Sequence, residues 1–175
     1  MSNLNKDQLR AIKNAAELDG LSMTDRKTLI KMIDDLNVRD QTIKLFVDGA
    51  ADLHSKTAGI GGVIYSNNKE LSNFSEPLFD KTNNEAEYLA LIKGVEQLID
   101  LKFTNVVIYA DSELIVKQVQ GIYKVKNERM KILHNLVLEK LELIDHWNLV
   151  HIRREKNIRA DELSKLGMSE AKSKK

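Results

Sequence analysis

The sequence contains no cysteine among its 175 residues, which excludes disulfide bonds and metal sites built from thiolates. No apolar run approaches the roughly 20 residues that a membrane-spanning helix needs. The first ten residues, MSNLNKDQLR, lack the apolar core of a signal peptide. From these absences, and because a cysteine-free chain fits a reducing compartment, we expect a cytoplasmic protein with no membrane partner.

The chain also lacks an excess of charge of either sign. Lys and Arg number 27, Asp and Glu number 26, and the net charge is +1. Binding to nucleic acid would therefore have to come from the arrangement of the charges, because their total does not favour it. Apolar residues make up 42% of the chain, which is enough to build a core for one domain with a small additional element.

In an N-terminal extension of residues 1–40, the pattern of residues 4–37 predicts two short helices separated by Asp19-Gly20. The apolar residues that recur at helical spacing are Leu9, Ile12 and Ala16 in the first helix and Leu29, Ile30, Ile33 and Leu36 in the second. Thr24 is the predicted N-cap of the second helix. The segment carries seven basic and seven acidic side chains, so it is not a basic nucleic-acid-binding arm. We expect a helical hairpin that packs on a protein partner, on a second copy of the chain or on the main domain.

From residue 42 onward the pattern changes to strands and helices. The predicted strands are Ile43–Asp48, Gly59–Ser66, Lys69–Glu76, Asn105–Ala110 and Trp147–Ile152, and the predicted helices are 83–101, 112–120, Asn127–Leu143 and Ile158–Leu166. The strands begin as a meander, with a hairpin turn at Asn67-Asn68, and then alternate with helices. That order predicts an α/β domain over residues 42–168, in which helices flank a mixed five-stranded sheet. We expect the tail, residues 169–175, to be disordered.

Two of the predicted strands end in an aspartate. Asp48 follows Leu45–Val47, and Asp111 follows Val106–Ala110. Such an acid can simply start a turn or cap the next helix. In open α/β sheets, however, ligands bind at the carboxyl ends of the strands, and two neighbouring carboxylates repel each other unless a proton or a cation lies between them. The pair therefore favours a metal site.

The segment TNNEAEYLAL, residues 82–91, contains two glutamates at the start of a predicted helix. With Thr82 as N-cap, Glu85 occupies the third helical position and completes a capping box. Glu87 has no such role. Helical geometry alone does not choose between them, because both flank the apolar stripe, but capping leaves Glu87 as the carboxylate that is free for chemistry.

A fourth acid lies in RREKNIRADEL, residues 153–163. Asn157 is a suitable helix cap, and acids in the first turn, such as Asp161 and Glu162, favour the helix dipole whether or not they have another function. The segment is also rich in Arg and Lys, which a phosphate-bearing substrate would require near carboxylate-bound metal ions.

The motifs VDGA, TNNEAEYLAL, YADSELIV and RREKNIRADELSK, in this order and spacing, resemble ribonuclease HI and its reverse-transcriptase-associated relatives over residues 43–167. The resemblance implies a metal-dependent endonuclease that hydrolyses the RNA strand of an RNA–DNA hybrid with two Mg²⁺ or Mn²⁺ ions. It implies four metal ligands, Asp48, Glu87, Asp111 and Asp161, of which Asp48 would bridge both ions. It also implies that Asn83 and Asn84 contact the minor groove of the hybrid, where the 2′-hydroxyl distinguishes RNA from DNA.

The sequence departs from this family pattern in three places. A histidine on a loop ahead of the last aspartate is missing; His151 is expected to be structural, and Arg154 matches a subgroup that uses arginine instead. The long basic protrusion is absent, although residues 121–131 keep a net charge of +3, which fits either an ordinary solvated face or a phosphate-binding surface: Lys124, Lys126, Arg129 and Lys131 against Glu128. The loop after Asp48, residues 51–62, also differs.

Two other functions stay open at the level of sequence. One is a non-catalytic protein that binds RNA or hybrid on the same fold. The other is a related nuclease with a different nucleic-acid substrate, because a fold does not determine its substrate.

Overall fold

In the computed structural model the described residues are 6–40 and 43–175, with the side chains at positions 6, 7, 9 and 33–40 excepted. The chain divides into two units, Met1–Gln41 and Thr42–Lys175. Among the described residues, no helix combines the length and the apolar character needed to cross a lipid bilayer.

The N-terminal unit contains two helices, α1 (Lys6–Ala16) and α2 (Met23–Asp40), which pack against each other. The turn between them includes Gly20, whose φ of +90° is a conformation that favours glycine. Of the predicted stripe on the second helix, Leu29 is half-buried and Ile30 is exposed. The side chains of Ile33 and Leu36 lie outside the described residues.

The prediction that Thr24 caps α2 is wrong. The helix begins two residues earlier than that cap would imply, at Met23, and the hydroxyl of Ser22 accepts a hydrogen bond from the backbone N–H of Asp25 at 3.0 Å. Ser22 and Thr24 offer the same capping chemistry, so the sequence alone could not decide which of them starts the helix.

The second unit is built on a five-stranded sheet in the order β3-β2-β1-β4-β5. Its strands are β1 (Ile43–Asp52), β2 (Thr57–Ser66), β3 (Lys69–Phe79), β4 (Asn105–Ala110) and β5 (His146–His151). The first three strands are antiparallel, whereas β4 and β5 run parallel to β1. The predicted mixed sheet is confirmed, and so is its hairpin turn, in which Asn67 and Asn68 have φ of +49° and +62°.

Helices cover both faces of this sheet. They are α3 (Asn83–Asp100), α4 (Glu113–Val119), α5 (Glu128–Leu141) and α6 (Ile158–Ser173), and a short 3₁₀ helix (Arg154–Lys156) precedes α6. On one face α3 packs against β1, where Gly94 lies against the buried side chains of Leu45 and Val47. On the other face α6 packs against β2, β3 and β1.

The close approach of α6 to β2 depends on glycine. A Cβ atom added to Gly59 would lie 2.1 Å from the backbone nitrogen of Met168, and one added to Gly61 would lie 2.3 Å from that of Ser164. Because the neighbouring atoms belong to the backbone of α6, a side chain at either position would push the whole helix away from the sheet. The two glycines therefore determine how closely α6 approaches β1 and β2.

The predicted end of the last helix and the predicted disordered tail are both wrong. The helix α6 continues to Ser173, and Ala171 is fully buried. Two further contacts hold the end of the chain against the β1–β2 turn: Lys172 pairs with Asp52 at 2.8 Å, and the Lys175 ammonium donates to the carbonyl of Ser55 at 2.5 Å. The buried positions in this part of the helix are small residues, which give no apolar stripe in the sequence.

Asn157 was predicted to cap α6, and it does occupy the N-cap position, but its side chain makes no capping hydrogen bond. Instead its Nδ2 donates to the backbone carbonyl of Val47 at 2.9 Å, and the residue is buried. Asn157 thus joins the start of α6 to the residue that immediately precedes Asp48.

Candidate active site

Three carboxylates meet where the parallel pairing of β1 with β4 ends, at Val47 and Ala110. Asp48 lies within β1, Asp111 directly follows β4, and Glu87 lies near the start of α3. One oxygen of each lies within 4.8 Å of an oxygen of the others. Asp48 and Glu87 are 4% and 6% exposed, and Asp111 is half-buried. Buried, converging carboxylates of this kind can hold a divalent metal ion, because hard oxygen ligands suit Mg²⁺ and Mn²⁺.

The register of the sheet brings the two aspartates together. Val47 pairs with Ala110 across the parallel strands β1 and β4, so Asp48 and Asp111 follow on adjacent strands at the same edge. The helix α4 begins at Glu113 with Ser112 in the N-cap position, so Asp111 lies outside that helix. This placement disfavours the alternative in which Asp111 serves only as a helix cap.

Glu87 reaches the aspartates because Gly49 has no side chain. A Cβ atom at Gly49 would lie 2.3 Å from the backbone of both Ala86 and Glu87, so only glycine lets the start of α3 approach β1 this closely. The backbone N–H of Gly49 also donates a hydrogen bond to the Glu87 carboxylate. One glycine therefore both admits the helix and helps to hold its carboxylate.

Glu85, two residues earlier, has the structural role that the sequence predicted for it. Its carboxylate accepts a hydrogen bond from the backbone N–H of Thr82 at 2.8 Å, and its own N–H donates to the Thr82 hydroxyl at 3.3 Å, which confirms the capping box. The backbone hydrogen bond from Thr82 is the main cause that lowers the pKa of Glu85. Glu85 lies outside the group of three carboxylates.

The pKa values of the two buried carboxyl groups, Asp48 and Glu87, are both raised. Burial raises the pKa of Glu87 to about 9, and the nearby charges of Asp48 and Asp111 add to the effect. Burial also raises the pKa of Asp48 to about 6; a hydrogen bond from Ser164 opposes this rise, while Asp111 and Asp161 add to it. Without a cation, the site therefore favours the protonated forms of Asp48 and Glu87. A metal ion would bind the same two groups in their charged forms.

Asp161 lies near these residues but has different partners. Among the described residues, the group of mutually close carboxylates contains Asp48, Glu87 and Asp111 and does not include Asp161. The carboxylate of Asp161 accepts hydrogen bonds from both Nε (3.0 Å) and Nη2 of Arg154, and from Nζ of Lys165 at 2.5 Å. Burial raises the pKa of Asp161, but the hydrogen bonds from Lys165 and Arg154 outweigh it, and the net pKa is lowered.

Two residues near the carboxylates were missed in the sequence. Lys165 lies four positions after Asp161, a spacing that predicts an ion pair on a helix. It also lines the groove that contains the three carboxylates. Ser164 is fully buried and donates a hydrogen bond to Asp48. Nothing in the local pattern distinguishes Ser164 from an ordinary helix residue, because its contact is with a residue 116 positions away.

The carboxylates lie in an open groove with a volume of about 500 Å³. Asn83, Arg154, Lys165 and Met168 also line it. Asn84, which was predicted to act beside Asn83, lies in a separate groove. The residues that line that second groove with Asn84 are Thr82, Glu85, Asn127, Arg129 and Met130.

Three other features that the sequence singled out can also be placed in the structure. His151 ends β5, is exposed, and has a ring nitrogen 3.2 Å from the backbone carbonyl of Asp111. In the loop after Asp48, the carboxylate of Asp52 accepts hydrogen bonds from the backbone N–H groups of His54 and Ser55. In the segment 121–131, Lys131 pairs with Glu128 at 2.7 Å. Lys124 and Lys126 lie in the loop between α4 and α5.

Comparison with known proteins gives a consistent result. The family model described as reverse transcriptase-like matches residues 46–167. Ribonuclease HI of Halobacterium salinarum is 28% identical over 134 residues, which cover 76% of this chain and 67% of that protein. Ribonuclease H of Wigglesworthia glossinidia brevipalpis is 30% identical over 138 residues, which cover 71% of this chain and 86% of that protein.

Solved structures agree with the sequence matches. The crystal structure of LC11-RNase H1, a protein isolated from compost, in complex with an RNA/DNA hybrid has a TM-score of 0.70 and 38% identity, and the match covers 74% of this chain and 99% of that one. The extent of the family match, together with these relatives, shows that the chain belongs to the ribonuclease HI family.

Proposed function

We propose that this protein is a metal-dependent endonuclease that hydrolyses the RNA strand of RNA–DNA hybrids. The observation that carries the proposal is the convergence of Asp48, Glu87 and Asp111, with oxygens within 4.8 Å of one another, at the carboxyl edge of a sheet with this topology. The likeness to LC11-RNase H1, which was crystallised with an RNA/DNA hybrid, supports the choice of substrate.

In this proposal Asp48, Glu87, Asp111 and Asp161 would hold two Mg²⁺ or Mn²⁺ ions. Three of these donors fit such ions as they stand, because the carboxylate oxygens of Asp48, Glu87 and Asp111 are close together and the first two residues are buried. A pair of divalent ions supplies an activated water molecule and stabilises the leaving oxygen of the phosphodiester. The raised pKa values of Asp48 and Glu87 indicate that metal binding would release protons from these carboxyl groups.

The cationic side chains beside the acids would bind the substrate. Arg154 and Lys165 line the groove and pair with Asp161, so each can contact a phosphate placed against the carboxylates. We assign to Arg154 the role that a loop histidine has in other members of the family, which is to help the product leave. Asn83 would contact the hybrid within this groove, whereas Asn84 would do so from the second groove, beside Arg129.

A cleavage assay tests the proposal directly. Labelled RNA–DNA hybrid, duplex DNA and duplex RNA would each be incubated with the full chain in Mg²⁺, in Mn²⁺ and in EDTA. We expect cleavage of the RNA strand of the hybrid alone, and only with a metal ion. The variants Asp48→Asn and Asp111→Asn, which are nearly isosteric, should fold normally and show no cleavage.

The other outcomes identify the alternatives. Binding of the hybrid without cleavage in either metal would indicate a non-catalytic binding protein. Cleavage of another duplex in preference to the hybrid would indicate a related nuclease. Substantial cleavage by Asp48→Asn or Asp111→Asn would refute the assignment of these residues as metal ligands.

A further inference from the structure

The hydroxyl group of Ser164 lies between two of the acidic residues of the site. Ser164 is 0% exposed, and its Oγ donates a hydrogen bond to Oδ2 of Asp48. The same Oγ lies 2.9 Å from the backbone carbonyl of Asp161, one turn earlier in α6. A serine hydroxyl has a single proton, so it has a choice of two acceptors, of which one is a carboxylate and the other is part of its own helix.

The fold brings this hydroxyl to Asp48 and leaves little room for another arrangement. Gly61, whose missing side chain lets α6 lie against β2, pairs with Asp48 across the β1–β2 ladder. The nitrogen of Ser164 lies 2.3 Å from the position of a Cβ at Gly61. The hydroxyl therefore reaches the carboxylate from a rigid helix that is held against the sheet on which Asp48 lies.

We propose that Ser164 is a positioning residue for the metal site, which acts by holding the Asp48 carboxylate in the orientation that metal binding requires. The proposal rests on the proposed function, because it assumes that Asp48 is a metal ligand. Hydrogen bonds to the ligands of a metal ion commonly orient them, and losing such a bond lowers metal affinity about 10- to 100-fold. Ser164 is the described side chain that hydrogen-bonds this carboxylate from α6.

A carboxylate has two oxygens, so Ser164 need not compete with a metal ion for Asp48. Oδ2 accepts the hydrogen bond from Ser164, and Oδ1 would remain for the metal ion. The Asp161 carbonyl, 2.9 Å from the same Oγ, gives the hydroxyl proton a second acceptor, so this buried donor keeps a partner in either case. An alanine at this position keeps the helix but removes the hydroxyl, and with it the hydrogen bond to Asp48.

Ser75 provides a matched control for this residue. Its Oγ donates to the backbone carbonyl of Leu163 at 2.7 Å, so it also joins the sheet to α6, only one residue from Ser164. Ser75 lies on β3 and has no hydrogen bond to a carboxylate among those found for the described residues. Ser75→Ala therefore removes a similar anchor of the helix while leaving Asp48 untouched.

The experiment measures Mn²⁺ binding to the full chain by isothermal titration calorimetry, with circular dichroism to show that each variant is folded. We expect Ser164→Ala to raise the Kd for Mn²⁺ about tenfold or more, and Ser75→Ala to leave it unchanged. Ser164→Cys, whose thiol is somewhat larger and donates only weakly, should lie between the parent and Ser164→Ala, and it replaces the alanine variant if that variant does not fold. In hybrid cleavage, the deficit of Ser164→Ala should shrink as the Mg²⁺ concentration rises.

The results distinguish a failure of the proposed function from a failure of the role assigned to Ser164. A parent chain that binds no Mn²⁺ would overturn the proposed function, and this inference with it. A parent that binds Mn²⁺ while Ser164→Ala binds it equally well would overturn the role of Ser164 alone. So would an equal loss of affinity in Ser75→Ala, or a cleavage deficit that does not shrink with added Mg²⁺.

Discussion

The two glutamates of α3 should respond to the same substitution with opposite changes in stability. Burial, with the charges of Asp48 and Asp111, raises the pKa of Glu87 to about 9 from a usual value of 4.5, whereas the hydrogen bond from the Thr82 backbone lowers the pKa of Glu85. In metal-free protein at pH 7, Glu87 is therefore neutral in the folded state and charged in the unfolded state. Replacing each glutamate with glutamine, in EDTA, tests this difference.

The size of the effect at Glu87 follows from the proton that folding takes up. Between pH 4.5 and pH 7 this uptake costs about 1.4 kcal/mol per pH unit, or about 3 kcal/mol in all. Glutamine resembles the protonated acid and can still accept the hydrogen bond from Gly49, so Glu87→Gln should stabilise the metal-free fold by up to that amount. For a chain of this size, the increase in Tm would be roughly 6–12 °C.

The direction of the pH dependence is fixed by the same argument. Because the folded protein binds more protons than the unfolded protein between the two pKa values, the stability of the parent in EDTA should fall as the pH rises from 4.5 to about 9. Asp48, with a pKa raised from 3.8 to about 6, adds a smaller fall in stability between those two pH values. Glu87→Gln should show a flatter profile above pH 5, since the main titrating group has been removed.

Glu85→Gln is the matched control, because it makes the same chemical change two residues away. It removes a charge that favours the start of α3, so we expect a loss of about 0.3–1 kcal/mol and a lower Tm. With Mg²⁺ present, the parent should gain stability by ligand linkage and Glu87→Gln should gain much less. Thermal melts followed by circular dichroism measure all of these quantities. A lower Tm for Glu87→Gln than for the parent in EDTA would refute the account of its buried charge.

Three further predictions concern other parts of the chain. Arg154→Ala should slow turnover of the hybrid more than it weakens hybrid binding; steady-state kinetics with a separate binding assay would detect an equal loss in both, which would make Arg154 an ordinary phosphate contact. Gly61→Ala should destabilise the fold by roughly 1–3 kcal/mol in a denaturant titration, because its Cβ would meet the backbone of α6; an unchanged midpoint would show that the helix can move away freely. A shortened chain that begins at Asp40 should fold and cleave the hybrid, and an insoluble product would show that α1 and α2 complete the core.

Much of the second unit could be predicted because its signals are local. Alternating and helical periodicity located the five strands and the four main helices, and the pattern Asn67-Asn68 located the hairpin turn. The capping box at Thr82 and Glu85 was also a local signal, since both residues belong to one turn of helix. Asp48 and Asp111 could be placed together because parallel strands end at a common edge.

The extent of α6 could not be predicted, because after Leu163 its buried face is made of small residues. Ala160, Ser164, Gly167 and Ala171 recur every three or four positions and are all buried, yet none of them marks an apolar stripe. Small residues are favoured there because the helix lies directly against Gly59 and Gly61 of β2. Burial of this kind is decided by the partner strand, which the sequence of the helix does not reveal.

Asp161 shows why the spacing of acids along a chain does not define a complete metal site. Its partners in the structure are cations: Lys165 one helical turn later, and Arg154 in the 3₁₀ helix before α6. Both cations line the groove beside the three converging carboxylates, so a phosphate group bound there would offer each of them another anionic partner. If Asp161 is the fourth metal ligand, as proposed above, loosening of those ion pairs would free its carboxylate for a metal ion. Substrate and metal ions would then favour each other's binding, and we predict that the hybrid lowers the metal concentration that the site requires.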